Sequence, residues 1–104
     1  MAAIAAGLVG EASLVVGETH TAKHLGSGGV EVLATPVMIA LMEDAARSSV
    51  DSNLDQGQLS VGVNLNVSHL AATPLGMRVT ARSETVTIDG RRHYFRSAVA
   101  ATAA

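Results

Sequence analysis

Between residues 61 and 69 apolar and polar side chains alternate. Val61, Val63, Leu65, Val67 and His69 fall on one side, and Gly62, Asn64, Asn66 and Ser68 on the other. A period of two predicts a strand with one face toward the core, and parity puts His69 on that buried face. A different period precedes it. Thr35-Pro36 reads as a helix start, a hydroxyl residue at the N-cap followed by a proline whose missing N–H costs nothing there. The helix is expected to run through Val37, Ile39, Leu41, Glu43 and Arg47 and to fade near Val50. Its first residues are apolar on every side, the mark of a buried helix rather than a surface one.

The flanking pieces are shorter. Residues 11–22, with Leu14, Val15, Val16, Thr19 and Thr21, predict a first strand, and the three glycines and serine of 23–29 a loop. Residues 51–58 are polar and turn-rich. Thr73-Pro74-Leu75-Gly76 predicts a turn, and 77–88 a strand whose phase drifts near Ser83, as a bulge would cause. Asp89-Gly90 is a hairpin signal, leading into a last strand over 91–101 with Phe95, Ser97 and Val99 on one face. The order is strand, buried helix, then three strands with short antiparallel connections. Such a sheet and helix cover each other if the sheet curls around the helix, an α+β arrangement.

Composition narrows the class. The 104 residues suit one domain, and 48% hydrophobic content suffices for a core. With Tyr94 and Phe95 the only aromatics, that core must be aliphatic. Domains this small often gain buried surface by oligomerising. A net charge of −2 argues against a nucleic-acid partner. Five of the seven basic residues, Arg78, Arg82, Arg91, Arg92 and Arg96, nevertheless fall in the last third. They suit either the phosphates of one small anionic ligand or solvated strand positions. Without cysteine there is no disulfide, thiolate metal site or cysteine nucleophile. The apolar residues 1–10 carry no basic leader and are too short to span a bilayer, so the expected location is the cytoplasm and no membrane partner is expected.

Three residues stand out for chemistry, each with an ordinary alternative. His69 on an apolar face is a hydrogen-bonded core group or a functional base. Glu43 interrupts an apolar helix, either as a surface carboxylate paired with Arg47 at i, i+4 or as an acid–base group. Thr35 is an N-cap or a hydroxyl beside helix-start N–H groups able to polarise a carbonyl. Eight residues separate Thr35 from Glu43, about 12 Å along a helix, so they cannot bond each other. A histidine from a facing strand fits between them. Gly62 marks a bulge, a ligand approaching the backbone, or relief beneath a neighbouring strand.

The segments Leu33-Ala34-Thr35-Pro36, Ala40-Leu41-Met42-Glu43-Asp44-Ala45-Ala46 and residues 67–76, with their His-x-Ala-Ala-Thr-Pro-x-Gly run, resemble the fluoroacetyl-CoA thioesterase-like group of hotdog-fold thioesterases. The similarity runs from about Val16 to Ala100. It implies a curved antiparallel sheet around one long helix, a homodimer with acyl-CoA at the interface, and a Thr–His–Glu catalytic group at Thr35, His69 and Glu43. Gly62 matches a glycine near the family's acyl-binding site. No aromatic residue precedes Thr35, so an aromatic gate over the acyl pocket is missing and fluoroacetyl-CoA is not the expected substrate. Such domains carry a further strand beyond the last one here, so the single domain over 1–104 is expected to lack it or to complete its sheet another way.

The expected activity is hydrolysis of a small acyl-CoA thioester to free acid and CoA. No metal or separate cofactor is expected, coenzyme A entering as part of the substrate. Glu43 would be nucleophile or general base. The rival from another class is a non-catalytic acyl-CoA or acyl-carrier binding module of the same fold. A hydratase is weaker, since no second acid–base pair suited to adding water across a double bond is found.

Overall fold

The computed structural model describes residues 5–58 and 60–104; the first four residues of the apolar start fall outside that range. In chain order come β1 (Val9–Val15), α1 (Ala22–Leu25), α2 (Thr35–Val50), β2 (Arg78–Asp89) and β3 (Arg92–Thr102), with 3₁₀ turns at Glu18–His20 and Asp51–Asn53. The strands form one antiparallel sheet in the order β1-β2-β3. One long helix lies on one face of it, as the α+β expectation requires.

Register decides what faces α2. Leu14 pairs with Val79, Ala12 with Ala81 and Gly10 with Ser83. On the other side of β2, Ala81 pairs with Val99, Ser83 with Ser97 and Thr85 with Phe95. These inward positions meet the helix stripe Met38, Leu41 and Ala45, and Val16, Leu33, Val79 and Ala81 complete the buried core. The stripe follows helical spacing, but the all-round burial expected of α2 does not hold. Val37, Ile39 and Met42 are half-buried and Ala40 is exposed, because one sheet covers one side of the helix.

The bulge occurs slightly later than the drift near Ser83 suggested: the β2–β3 register shifts between Thr85 and Thr87. At the hairpin, Asp89 pairs with Arg92, and Gly90 takes φ 60°. A positive φ at the first of two loop residues is the type II′ pattern that glycine serves. The first strand ends earlier than expected. Residues 17–22 turn instead, Gly17 N–H donating to His20 Nδ1 at 2.9 Å, and the expected loop at 23–29 opens with the short α1. Its cap is Thr21, whose hydroxyl accepts from His24 N–H.

The largest departure concerns residues 61–69. They form no strand, and the face expected to be buried is open: Val61 is 79% exposed, Val63 76% and Leu65 53%. Only Val67 packs against the core. A pleated apolar row needs a neighbouring strand to receive its N–H and C=O groups, and none lies beside this one in the described chain. The segment is held at its ends instead. Ser60 N–H and Oγ donate to Asp51 Oδ1 at the end of α2, and His69 is bonded near the helix start. No described helix is long and apolar enough to cross a membrane.

Candidate active site

The start of α2 is built differently from its sequence reading. Ala34 is the N-cap, with φ −71° and ψ 140° and no side-chain cap, while Thr35 and Pro36 open the helix. Backbone bonds fix this entry: Leu33 N–H donates to Thr73 C=O at 2.8 Å, and Ala34 N–H to His20 C=O at 2.9 Å. Released from capping, Thr35 Oγ1 lies 2.7 Å from His69 Nδ1. Of the two readings of this hydroxyl, helix cap or site group, the structure shows the second: it meets an imidazole thirty-four residues away.

Donors at this helix start are few. Val37 and Met38 N–H both donate to Ala34 C=O, at 3.1 and 3.0 Å, and Pro36 has no N–H. Thr35 N–H is left as the first-turn donor without an acceptor among the described residues. His69 is half-buried and Thr35 exposed, so both can be reached from outside. Beside them a groove of about 350 Å³ runs between residues 68–73 and β3, with Leu33, Met38, Met42, His69 and Val99 in its lining.

Glu43 stands apart from the pair. Arg47, the cation offered as its ordinary partner, instead donates through Nε to Asp51 Oδ2 at 3.2 Å. Among the described residues no basic side chain pairs with Glu43, and no hydrogen bond joins it to His69. The imidazole therefore touches the hydroxyl but not the carboxylate. What Glu43 meets is Gly62: a Cβ built on that glycine would collide with Glu43 Oε2 and stand 3.1 Å from its Cδ. The approach seen at Gly62 is that of the Glu43 side chain, and with no strand over 61–69 there is neither a bulge nor a neighbouring strand to relieve. Sequence reasoning missed this contact; a glycine where alternation calls for a β-former was the available signal.

Arg78, Arg82 and Arg96 lie on the other side of the sheet. Arg78 and Arg82 alternate with buried Val79, Ala81 and Ser83, and Arg96 precedes the inward Ser97. They share the outer face with acids, Arg82 opposite Glu11 and Arg96 opposite Glu84, an arrangement that suits solvated cross-strand pairs. This face is turned away from Thr35 and His69. No three described His, Asp or Glu side chains converge so as to hold a metal ion.

Comparison with known proteins places the fold. A curated relative, the fluoroacetyl-CoA thioesterase of Streptantibioticus cattleyicolor, is 42% identical over 62 residues, which are 60% of this chain and 45% of the relative. The chain thus matches under half the length of that relative. A crystal structure of an alanine mutant of the fluoroacetyl-CoA-specific thioesterase FlK superposes with a TM-score of 0.88 at 31% identity, over 96% of this chain and 78% of the other. A Thermus thermophilus thioesterase superfamily member superposes with a TM-score of 0.86 at 29% identity, over 97% and 74%. These matches establish the hotdog fold for the helix and sheet described above. Residues 16–104 match the model of the FlK family, described as fluoroacetyl-CoA-specific thioesterase, and the chain belongs to that family.

Proposed function

We propose that this chain, acting as one domain, hydrolyses a small acyl-CoA thioester to the free acid and CoA through Thr35, His69 and Glu43. The observation carrying the proposal is the 2.7 Å contact between Thr35 Oγ1 and His69 Nδ1 at the start of α2. A bond at Nδ1 orients the ring and leaves Nε2 for substrate or water. Thr35 N–H, at the positive end of the helix dipole, is placed to polarise the thioester carbonyl.

Two routes use the carboxylate. In one, Glu43 attacks the carbonyl carbon and expels CoA thiolate, which takes a proton from His69; the neutral imidazole then takes a proton from water as that water cleaves the acyl-enzyme anhydride. In the other, Glu43 removes a proton from water as it attacks, and His69 again protonates the thiolate. Both give one acid and one CoA per water consumed. Neither route calls on a metal or a separate cofactor. Activity on a CoA thioester also assigns the chain to the cytoplasm; recovery of the native protein from a secreted fraction would contradict that.

The test is release of free CoA from a panel of short, branched and aryl acyl-CoAs, fluoroacetyl-CoA included. Hydrolysis of at least one is expected, with fluoroacetyl-CoA not preferred, since no aromatic residue precedes Thr35. Thr35→Ala removes one hydrogen bond to an ionisable group and is expected to lower kcat/KM about tenfold. Saturable binding of acyl-CoA without any turnover would replace this reading with that of a non-catalytic binding module.

The proposal includes a homodimer with acyl-CoA at its interface. Its support is the open apolar row Val61, Val63 and Leu65, together with Leu70 at 91% exposure. Exposed apolar rows of that kind invite association with another chain. Sedimentation equilibrium at assay concentration is expected to give twice the chain mass. A fully active monomer would refute the dimer and leave the hydrolase reading standing.

A further inference from the structure

We propose that Gly62 is a positioning residue for Glu43: the missing side chain gives the carboxylate its place. This inference rests on Glu43 taking part in hydrolysis, and it concerns how that group is held rather than what it does. The backbone does not require glycine here, since Gly62 is not among the glycines with positive φ. Local preference favours another residue too, because the alternation of valine and leucine at the neighbouring positions is a strand pattern, in which glycine is weak. Space is the remaining reason. A Cβ at this position would overlap Glu43 Oε2 and press on Cδ at 3.1 Å.

The atoms that would yield belong to the end of a flexible side chain on a helix fixed by its core stripe. A methyl group at Gly62 would therefore leave the fold intact and push the carboxylate aside. Displacement of a reacting group by about 1 Å is enough to slow an enzyme by an order of magnitude or more. The segment brings its own reinforcement. Ser60 is tied to Asp51 and His69 to Thr35, so the backbone at Gly62 cannot drift far from α2. Glu43 is left with a half-buried position bounded on one side by main chain and by no cation among the described residues.

The experiment is a mutant cycle combining Gly62→Ala with Glu43→Asp, assayed by CoA release, with Asn64→Ala as a control on an exposed neighbour of the same segment. Aspartate withdraws the carboxylate by about 1.5 Å, one carbon–carbon bond, and so escapes the added methyl group. Gly62→Ala is expected to lower kcat about tenfold or more with Glu43 present, to leave KM and the thermal midpoint nearly unchanged, and to cost less than about twofold when combined with Glu43→Asp. The side-chain carboxyl ¹³C resonance of Glu43 is expected to move in Gly62→Ala and to stay in place in Asn64→Ala. An equal loss in both backgrounds would assign Gly62 to direct substrate contact and overturn the proposal. So would an unmoved Glu43 resonance, which is read without turnover. A wild type that hydrolyses nothing would instead defeat the hydrolase reading at the first assay, and the positioning role with it.

Discussion

His69→Ala is expected to lower kcat for acyl-CoA hydrolysis about 10²–10⁴-fold, the range for loss of a positioned acid–base group. The imidazole makes one side-chain hydrogen bond, to Thr35, and is half-buried at the edge of the groove. Its removal therefore leaves the core stripe untouched, and the thermal midpoint should hardly change. The same variant separates the two routes. If Glu43 attacks the carbonyl, acyl transfer to the carboxylate outlives the histidine while its hydrolysis stalls, and intact-mass measurement finds a protein heavier by one acyl group. If Glu43 activates water, no such adduct forms. Adding Glu43→Ala must abolish any adduct that is found. A His69→Ala enzyme within about threefold of the wild-type rate would remove the histidine from the mechanism.

How far the sequence carries this picture can be judged residue by residue. The helix over Thr35–Val50 was readable because its proline, its apolar run and the polar stretch after it are all local signals. Thr35 was readable as a helix-start residue and as a hydroxyl within reach of His69, but its release from capping was not. The N-cap shifted to Ala34 because backbone bonds from Leu33 and Ala34 to Thr73 and His20 set the entry angle, and those partners are distant in sequence. Alternation over 61–69 predicts a strand with a buried face and the structure shows neither, because a period of two says nothing about which strand supplies the pairing. Its apolar row is consequently exposed in the single chain. The bridging role given to His69 between Thr35 and Glu43 was half met: helix rise fixes how far apart the two are, but not where a side chain from another segment lands. The arginines illustrate the opposite case. Their parity in β2 and β3 was already in the sequence, and the register needed only to show which parity faces α2.

Gly10→Ala is expected to destabilise the fold by about 3 kcal/mol, the upper part of the usual range for overpacking a core, and to lower the thermal midpoint by on the order of 10–20 °C. Nothing local announces this glycine, which sits at the start of β1 between Val9 and Glu11. Its backbone runs directly over α2: a Cβ there would overlap the Ala45 carbonyl oxygen and come within 2.5 Å of Ser48 Oγ and 2.9 Å of Ser49 N. Gly10 and Gly62 both touch the helix that carries the candidate site, but what they touch decides the outcome. At Gly62 the obstructing atoms end a flexible side chain and can swing away. At Gly10 two of the three belong to helix main chain. Relief there requires β1 to lift off α2, and β1 cannot lift without breaking its pairing of Ala12 with Ala81 and Leu14 with Val79. Both layers of the core would open together. Gly29→Ala supplies the control, since a Cβ there meets nothing within 4 Å, and its midpoint should stay within a few degrees of the wild type. Thermal unfolding of the two variants side by side decides the matter: if Gly10→Ala melts with Gly29→Ala, the close approach of β1 to α2 is not what holds the sheet on the helix.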